Sequence, residues 1–186
     1  MSQSPLLLHR RQSGFTLIEL ITVMILVGIL AVVALPRLDL LRGFDEIGYR
    51  DKVKATLEYA RKSAVAGRRF VCIRTNGNGL VLTRDIRAPD SLTVETISCP
   101  NTIVANRLSL PASDIRYCGS ATTGNEICAP TNVTLATPTT AIVFSALGTP
   151  SGTTNCTSAG KPAYCYTVTG ESAQTITLEA ETGYVH

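Results

Sequence analysis

A single acidic residue, Glu19, lies within an otherwise apolar stretch near the start of this 186-residue chain. The stretch spans residues 15–35, and its 21 residues carry no other charge. This is about the length of helix needed to cross the hydrocarbon core of a bilayer. Arg10, Arg11 and the small residue Gly14 come before it. Because a secretory signal is cut after its apolar stretch, a cut at Gly14 would instead leave the stretch on the mature protein.

The segment resembles the class III leader and N-terminal helix of type IV pilins and type II secretion pseudopilins. In that superfamily a prepilin peptidase cuts between Gly and Phe and then methylates the new amino terminus. The resemblance therefore implies removal of residues 1–14, cleavage between Gly14 and Phe15, and N-methylation of Phe15. It is carried by eight residues: Arg10, Arg11, Gly14, Phe15, Thr16, Leu17, Glu19 and Pro36.

The acid itself requires a partner. An ionised carboxylate inside a membrane helix costs roughly 2.5–3.5 kcal/mol, so it is rarely present alone. After cleavage the nearest cation is the ammonium of Phe15, one helical turn from Glu19. A subunit can satisfy its own Glu19, or the carboxylate can reach the terminus of a neighbour, which is the arrangement that the resemblance implies. An ordinary membrane anchor with an incidental glutamate is the alternative. The resemblance also assigns Pro36 to assembly, where a proline would kink a continuing helix.

All six cysteines follow the apolar stretch: Cys72, Cys99, Cys118, Cys128, Cys156 and Cys165. An even number in a translocated domain indicates disulfides formed in an oxidising compartment. Many pairings are open; sequence proximity favours Cys118–Cys128 and Cys156–Cys165, which leaves Cys72–Cys99. A zinc site is the competing interpretation, but it needs close-spaced cysteine pairs and the chain has none. We therefore expect neither a metal nor a cofactor.

The apolar spacing predicts that the helix continues beyond the membrane. One face at 100° per residue collects Tyr49, Val53, Thr56, Leu57, Ala60 and Ala64. Gly67 then provides a helix stop. The predicted organisation is a leader at 1–14, a helix at 15–66 with its transmembrane part at 15–35, and a disulfide-stapled antiparallel β-domain at 67–186.

After Gly67 the pattern becomes that of β-strands. Runs at 70–74 and 80–84 flank Asn76-Gly77-Asn78-Gly79, which predicts a hairpin. The remaining predicted strands cover 92–97, 115–118, 141–146, 163–168, 175–180 and 183–185. The pattern therefore predicts the α+β class, with one long helix packed on a small antiparallel domain.

This arrangement resembles the pilin fold, and more specifically the GspH/FimT group of minor subunits. That closer resemblance rests on the segment at 142–152 and on a final strand with a Gly-containing hairpin at 176–185. The closing sequence ETGYVH is also similar to minor subunits of mannose-sensitive haemagglutinin-type pili.

Other function classes find little support. Of the two histidines, His9 lies in the leader and His186 ends the chain, so a catalytic site in the β-domain has no histidine base. We therefore predict that the protein is not an enzyme. Some FimT-like pilins bind DNA through arginines in the C-terminal tail, but residues 117–186 carry a net charge of −3, which repels phosphate. Adhesion through the Thr/Ser/Gly-rich loops at 119–124 and 148–160 remains open.

These observations predict a minor type IV pilin or pseudopilin that primes or joins a thin filament. Its implied partners are other pilin or pseudopilin subunits, the prepilin peptidase and the inner-membrane assembly platform. The chain would be a single-pass inner-membrane protein before assembly, and then part of a periplasmic or extracellular filament. A GspH-like secretion pseudopilin, and a subunit that displays an adhesive or DNA-binding surface, are the alternatives.

Overall fold

The computed structural model describes residues 15–38, 40–87, 97, 99–100, 102–111, 115–118, 124–139 and 141–186. The leader at 1–14 and most of the predicted strand at 92–97 lie outside the described residues. The chain divides into two units, Met1–Leu40 and Leu41–His186, and each is described by itself.

The first unit contains helix α1, Leu17–Leu38. From Phe15 through residue 31 every described side chain is exposed, and the large apolar ones occupy all sides of the helix. Within the described residues, no helix combines the length and the hydropathy that crossing a bilayer requires.

The second unit contains helix α2, Leu40–Gly67, from Leu41 onward, and this helix packs on the β-strands. All six residues of the predicted stripe are buried: Tyr49, Val53, Thr56, Leu57, Ala60 and Ala64. Except for Thr56, they share one hydrophobic core with residues of both sheets, including Phe144 and Tyr166. Burial of this stripe supplies most of the helix stability, because packing of an amphipathic face outweighs intrinsic propensity. The predicted α+β class is therefore confirmed.

Nine strands follow α2 among the described residues. They are β1 Val71–Asn76, β2 Gly79–Arg84, β3 Glu126–Cys128, β4 Thr134–Ala136, β5 Ile142–Phe144, β6 Pro150–Ser151, β7 Cys156–Ser158, β8 Lys161–Thr169 and β9 Ala173–Glu179. One antiparallel sheet has the order β3-β2-β1-β5-β6. In the other, β4 and β7 pair with opposite halves of β8, and β9 also pairs with β8.

The structure confirms the predicted hairpin and corrects one predicted strand. Asn76 pairs with Gly79 across a two-residue turn, with Gly77 at φ +55°. The strand prediction at 115–118 is wrong, because Ile115–Cys118 forms a single helical turn, α3. A four-residue segment is too short to distinguish the two periods, and here the turn joins Cys118 by a disulfide to Cys128 on β3. At 183–185 only an isolated bridge between Val185 and Leu178 is present.

Helix α2 ends with a left-handed residue that is not glycine. Arg68 has φ +47°, directly after Gly67. The amide of Arg69 donates to the carbonyl of Ala64 at 3.1 Å, and that of Arg68 donates to Val65 at 3.3 Å. These bonds satisfy the last helical carbonyls in the manner of a Schellman motif. Gly67 is therefore the last helical residue, and the conformation that usually selects glycine falls one position later.

Gly79 allows β2 and β3 to approach each other, and its substitution by alanine is expected to destabilise the fold. An added Cβ would overlap the carbonyl oxygen of Ile127 and lie 3.2 Å from the Cα of Cys128. Because both atoms belong to the paired backbone of β3, we expect a loss of about 3 kcal/mol in the free energy of unfolding. The measurement is chemical unfolding of the full chain in detergent.

The matched control for this prediction is Gly77→Ala in the same hairpin. No atom lies within 4 Å of a Cβ added there, so only its positive φ is strained. We expect that control to cost about 1 kcal/mol. Equal losses for the two variants would contradict the steric explanation.

Candidate functional site

The start of α1 brings together two of the residues that carry the sequence resemblance. Thr16 precedes the helix, and its Oγ1 accepts a hydrogen bond from the Glu19 amide at 3.3 Å. The Thr16 carbonyl accepts from the amides of Glu19 and Leu20 at 3.1 and 3.2 Å. Thr16 and Glu19 thus have the T-x-x-E spacing of a capping box, in which the acid lies in the first helical turn.

The Glu19 carboxylate itself makes no hydrogen bond or ion pair within the described part of the chain. Its side chain is exposed, as are those of its apolar neighbours Ile18 and Leu20. Phe15 is 83% exposed and lies at the start of the described residues. Gly14 lies outside them, and Pro36 lies within α1. The structure therefore brings Phe15 and Glu19 to the same end of one helix.

Three disulfides join the six cysteines in the pairing that sequence proximity favours. They link Cys72 to Cys99, Cys118 to Cys128 and Cys156 to Cys165. Each ties a strand to another segment: β1 to the region after β2, α3 to β3, and β7 to β8. The Cys72–Cys99 pair is almost fully buried, and the Cys99 carbonyl accepts a hydrogen bond from Thr83 Oγ1 at 2.8 Å.

The segment at 142–152, one basis for the GspH/FimT resemblance, forms β5, a tight turn and β6. Ser145 organises that turn, because its Oγ accepts from the amides of Leu147 and Thr149 at 3.2 and 3.3 Å. Gly148 has φ +81°, and a Cβ there would lie 3.0 Å from Val65 and 3.3 Å from Arg61 of α2. The turn therefore holds Leu147, which is 85% exposed, outward from the body of the domain.

A buried carboxylate that was not among the predicted site residues, Glu46, lies on the inner face of α2. Its Oε2 accepts from the amides of Glu171 and Ser172 at 2.8 and 3.1 Å, and its Oε1 accepts from Ser172 Oγ at 2.7 Å. Residues 170–172 form the turn between β8 and β9, so this one side chain joins α2 to that hairpin. The sequence did contain a signal for the burial of Glu46. Position 46 lies three residues before Tyr49 and seven before Val53, which places it on the same helical stripe.

Those hydrogen bonds make the stability of the second unit depend on pH. The Ser172 hydroxyl, followed by the Ser172 amide, holds the pKa of Glu46 below its usual 4.5. A group whose folded pKa is depressed contributes stability above its unfolded pKa and loses it as pH falls through the folded value. We expect Glu46→Gln to be less stable than wild type at pH 7, with the difference shrinking below about pH 4.5.

Unfolding midpoints of both proteins from pH 7 to pH 3 test this expectation. The control is Glu58→Gln, an exposed glutamate on α2 that pairs with Lys62. Its effect on stability should be small at every pH, because exposed ion pairs contribute little. A constant difference between wild type and Glu46→Gln across the range would contradict the role of the Glu46 charge.

His186 is the histidine that lies in the described part of the chain. Its ring stacks on Tyr184 with centroids 5.5 Å apart, and its Nε2 lies 3.9 Å from Glu179 Oε1. Glu179 also accepts from Thr182 Oγ1 at 2.6 Å, which closes the turn after β9. Within the described ranges, no group of three or more His, Cys, Asp or Glu side chains is arranged to hold a metal ion.

Comparison with known families gives a match at the N-terminus. Residues 9–35 match the family described as the prokaryotic N-terminal methylation motif. The match contains Gly14, Phe15 and Glu19, and it ends one residue before Pro36. The chain thus carries this motif, which supports the type IV pilin superfamily for its N-terminal segment.

Two solved structures are similar, both of the type IV minor pilin FimU of Pseudomonas aeruginosa. The first is 15% identical, covers 73% of this chain and 82% of that chain, and has a TM-score of 0.43. The second is 16% identical, covers 73% and 86%, and has a TM-score of 0.41. No curated protein matches the chain.

Proposed function

We propose that this protein is a minor type IV pilin or pseudopilin, a structural subunit rather than an enzyme. In this proposal the peptidase removes residues 1–14 and methylates Phe15. The apolar segment at 15–35 then lies in the inner membrane, and after assembly it lies in the filament core. The second unit, which contains α2 and the β-strands, forms the outer part of the filament.

The observation that carries the proposal is the unpartnered Glu19 carboxylate within the methylation motif. The side chains around it are apolar and exposed on every side of α1. A charge in such surroundings requires a counter-ion once water is excluded. The methylated ammonium of Phe15 on a neighbouring subunit would provide it and would fix the register between two helices.

A local role for Glu19 must be separated from this one. At the third helical position of a capping-box sequence, an acidic side chain can support the start of α1, and glutamine can do the same in that position. Glutamine retains the polar side chain but carries no charge. Valine removes both the cap and the charge. The two substitutions therefore distinguish capping from ion pairing.

We expect Glu19→Gln and Glu19→Val to insert into the membrane normally and to be poorly incorporated into filaments. The amount of each variant in sheared filaments, relative to the membrane fraction, measures incorporation. The control is Thr16→Ala, which weakens the cap but leaves the carboxylate. Normal incorporation of Glu19→Gln would contradict the ion-pair role and leave capping as the function of the acid.

The finer assignment, to a pilus or to a type II secretion system, follows from the phenotype of a deletion strain. Loss of surface pili would identify a minor pilin, in line with the GspH/FimT-like and haemagglutinin-type features. Loss of protein secretion with pili retained would identify a GspH-like pseudopilin. Intact filaments with loss of attachment or DNA uptake would favour the displayed-surface alternative.

A further inference from the structure

A cavity of about 560 Å³ opens where α2 ends beside β1 and β2. Among the described residues, its polar lining includes Ser63, Arg69, Arg84 and Asp85, and its apolar walls include Val71, Ile86 and Leu108. The strand register explains the grouping, because Arg84 lies opposite Val71 and the Asp85 amide donates to Phe70. This volume lies within the range of sites that hold small ligands or single side chains.

Within the described residues, Arg69 of this cavity has an unsatisfied donor, whereas Arg84 is exposed. Nη1 of Arg69 is buried and has no hydrogen-bond partner. Arg84 makes no ion pair within the described residues. The nearest acid in the lining, Asp85, is engaged by Arg87 through Nη2 at 2.6 Å and Nε at 3.0 Å. A buried guanidinium N–H without an acceptor is costly, and such a group calls for a missing partner.

Guanidinium groups bind planar carboxylates in bidentate geometry. The apolar walls beside them suit the methylene carbons that carry an aspartate or glutamate carboxylate. We infer that this cavity receives a carboxylate side chain from a neighbouring subunit of the filament. The identity of the neighbour rests on the proposed function. The chemistry of the bound group rests on the cavity alone.

The distribution of charge along the chain suits a head-to-tail contact of this kind. Residues 61–87 carry seven basic and one acidic residue, a net charge of +6. Residues 141–186 carry one lysine and three glutamates, a net charge of −2. Of these, Glu181 is 62% exposed and pairs with Lys161 of the same chain at 2.8 Å. One chain thus contains a basic segment and an acidic segment, and heterologous contacts between successive subunits can bring two such segments together.

The chemistry of the cavity is tested by titrating the full chain in detergent micelles with glutarate. The amide resonances of Gly67 and Ile86 report binding. We expect saturable binding that weakens about tenfold in Arg69→Gln and in Arg84→Gln. The control is Arg74→Gln, which removes the same charge from an exposed position on β1 outside the cavity lining, and it should bind as wild type does.

Any of three results would overturn the carboxylate assignment. The first is absence of saturable glutarate binding. The second is equal weakening in the Arg74→Gln control. The third is tighter binding of inorganic phosphate than of glutarate, which would indicate a phosphate ligand. None of these results depends on filament assembly.

The identity of the neighbour is tested by crosslinking from a photoreactive residue introduced at Ile86, which is 50% exposed at the cavity wall. In filament-forming cells we expect crosslinks to an Asp- or Glu-containing peptide of another subunit, reduced in Arg69→Gln/Arg84→Gln. Crosslinks only to lipid, or only within the same chain, would overturn the inference. Absence of the chain from filaments would contradict the proposed function and exclude a filament subunit as the neighbour. The glutarate titration would still decide the chemistry of the cavity.

Discussion

Substituting Gly14 by valine is expected to leave the chain as a full-length precursor that begins at Met1. Gly14 lies within the segment that matches the N-terminal methylation motif, directly before Phe15. Glycine has no Cβ, so its backbone can approach a protein surface more closely than that of any other residue. Valine adds a branched side chain at the atom next to the proposed scissile bond. Without the cut, no ammonium forms at Phe15, and Glu19 has no counter-ion to meet.

Intact-mass spectrometry of the membrane fraction gives the result directly. The control is Gln12→Val, which adds similar bulk two residues earlier in the leader and should still yield a methylated Phe15 terminus. The Gly14→Val chain should also be missing from sheared filaments. Mature chains that begin at Phe15 in normal amount would contradict the assignment of the leader.

The helical part of the fold was predictable because its signal extends over many residues. The α2 stripe repeats through more than four turns, and every predicted member is buried. Glu46 was missed because an acidic residue on an apolar face reads as a break in the pattern. Its partners are backbone amides 125 and 126 residues away, and nothing in the local sequence marks their approach.

The β-domain was harder to predict because several of its strands are very short. The predicted hairpin and the strands around β5, β8 and β9 carry runs of β-branched and aromatic residues, whereas β6 is only Pro150–Ser151. Strands of two or three residues have no periodicity to detect, and they form because tertiary pairing overrides propensity. The same limit explains the mistaken strand at 115–118. The cavity beside Arg69 depends on how the end of α2 packs beside β1 and β2, which the sequence alone does not specify.

Removing the Cys72–Cys99 disulfide is expected to destabilise the second unit more than removing Cys156–Cys165. The first pair closes a sequence separation of 27 residues and the second a separation of 9. In the chain-entropy account, a longer loop means a greater restriction of the unfolded state, about 3.5 kcal/mol for the first pair and about 2.6 kcal/mol for the second. Burial adds to the difference, because both Cys72 and Cys99 are buried whereas Cys156 and Cys165 are only partly so.

The comparison uses two double variants, Cys72→Ala/Cys99→Ala and Cys156→Ala/Cys165→Ala, with urea unfolding of the full chain in detergent. Loss of the first pair also frees the segment whose Cys99 carbonyl accepts from Thr83, a residue directly opposite Cys72 in the β1–β2 register. The hydrogen bond and the disulfide therefore hold the same segment, and we expect the bond to weaken when the disulfide is absent. An equal or greater loss in Cys156→Ala/Cys165→Ala would show that neither loop length nor burial determines the contribution of these disulfides.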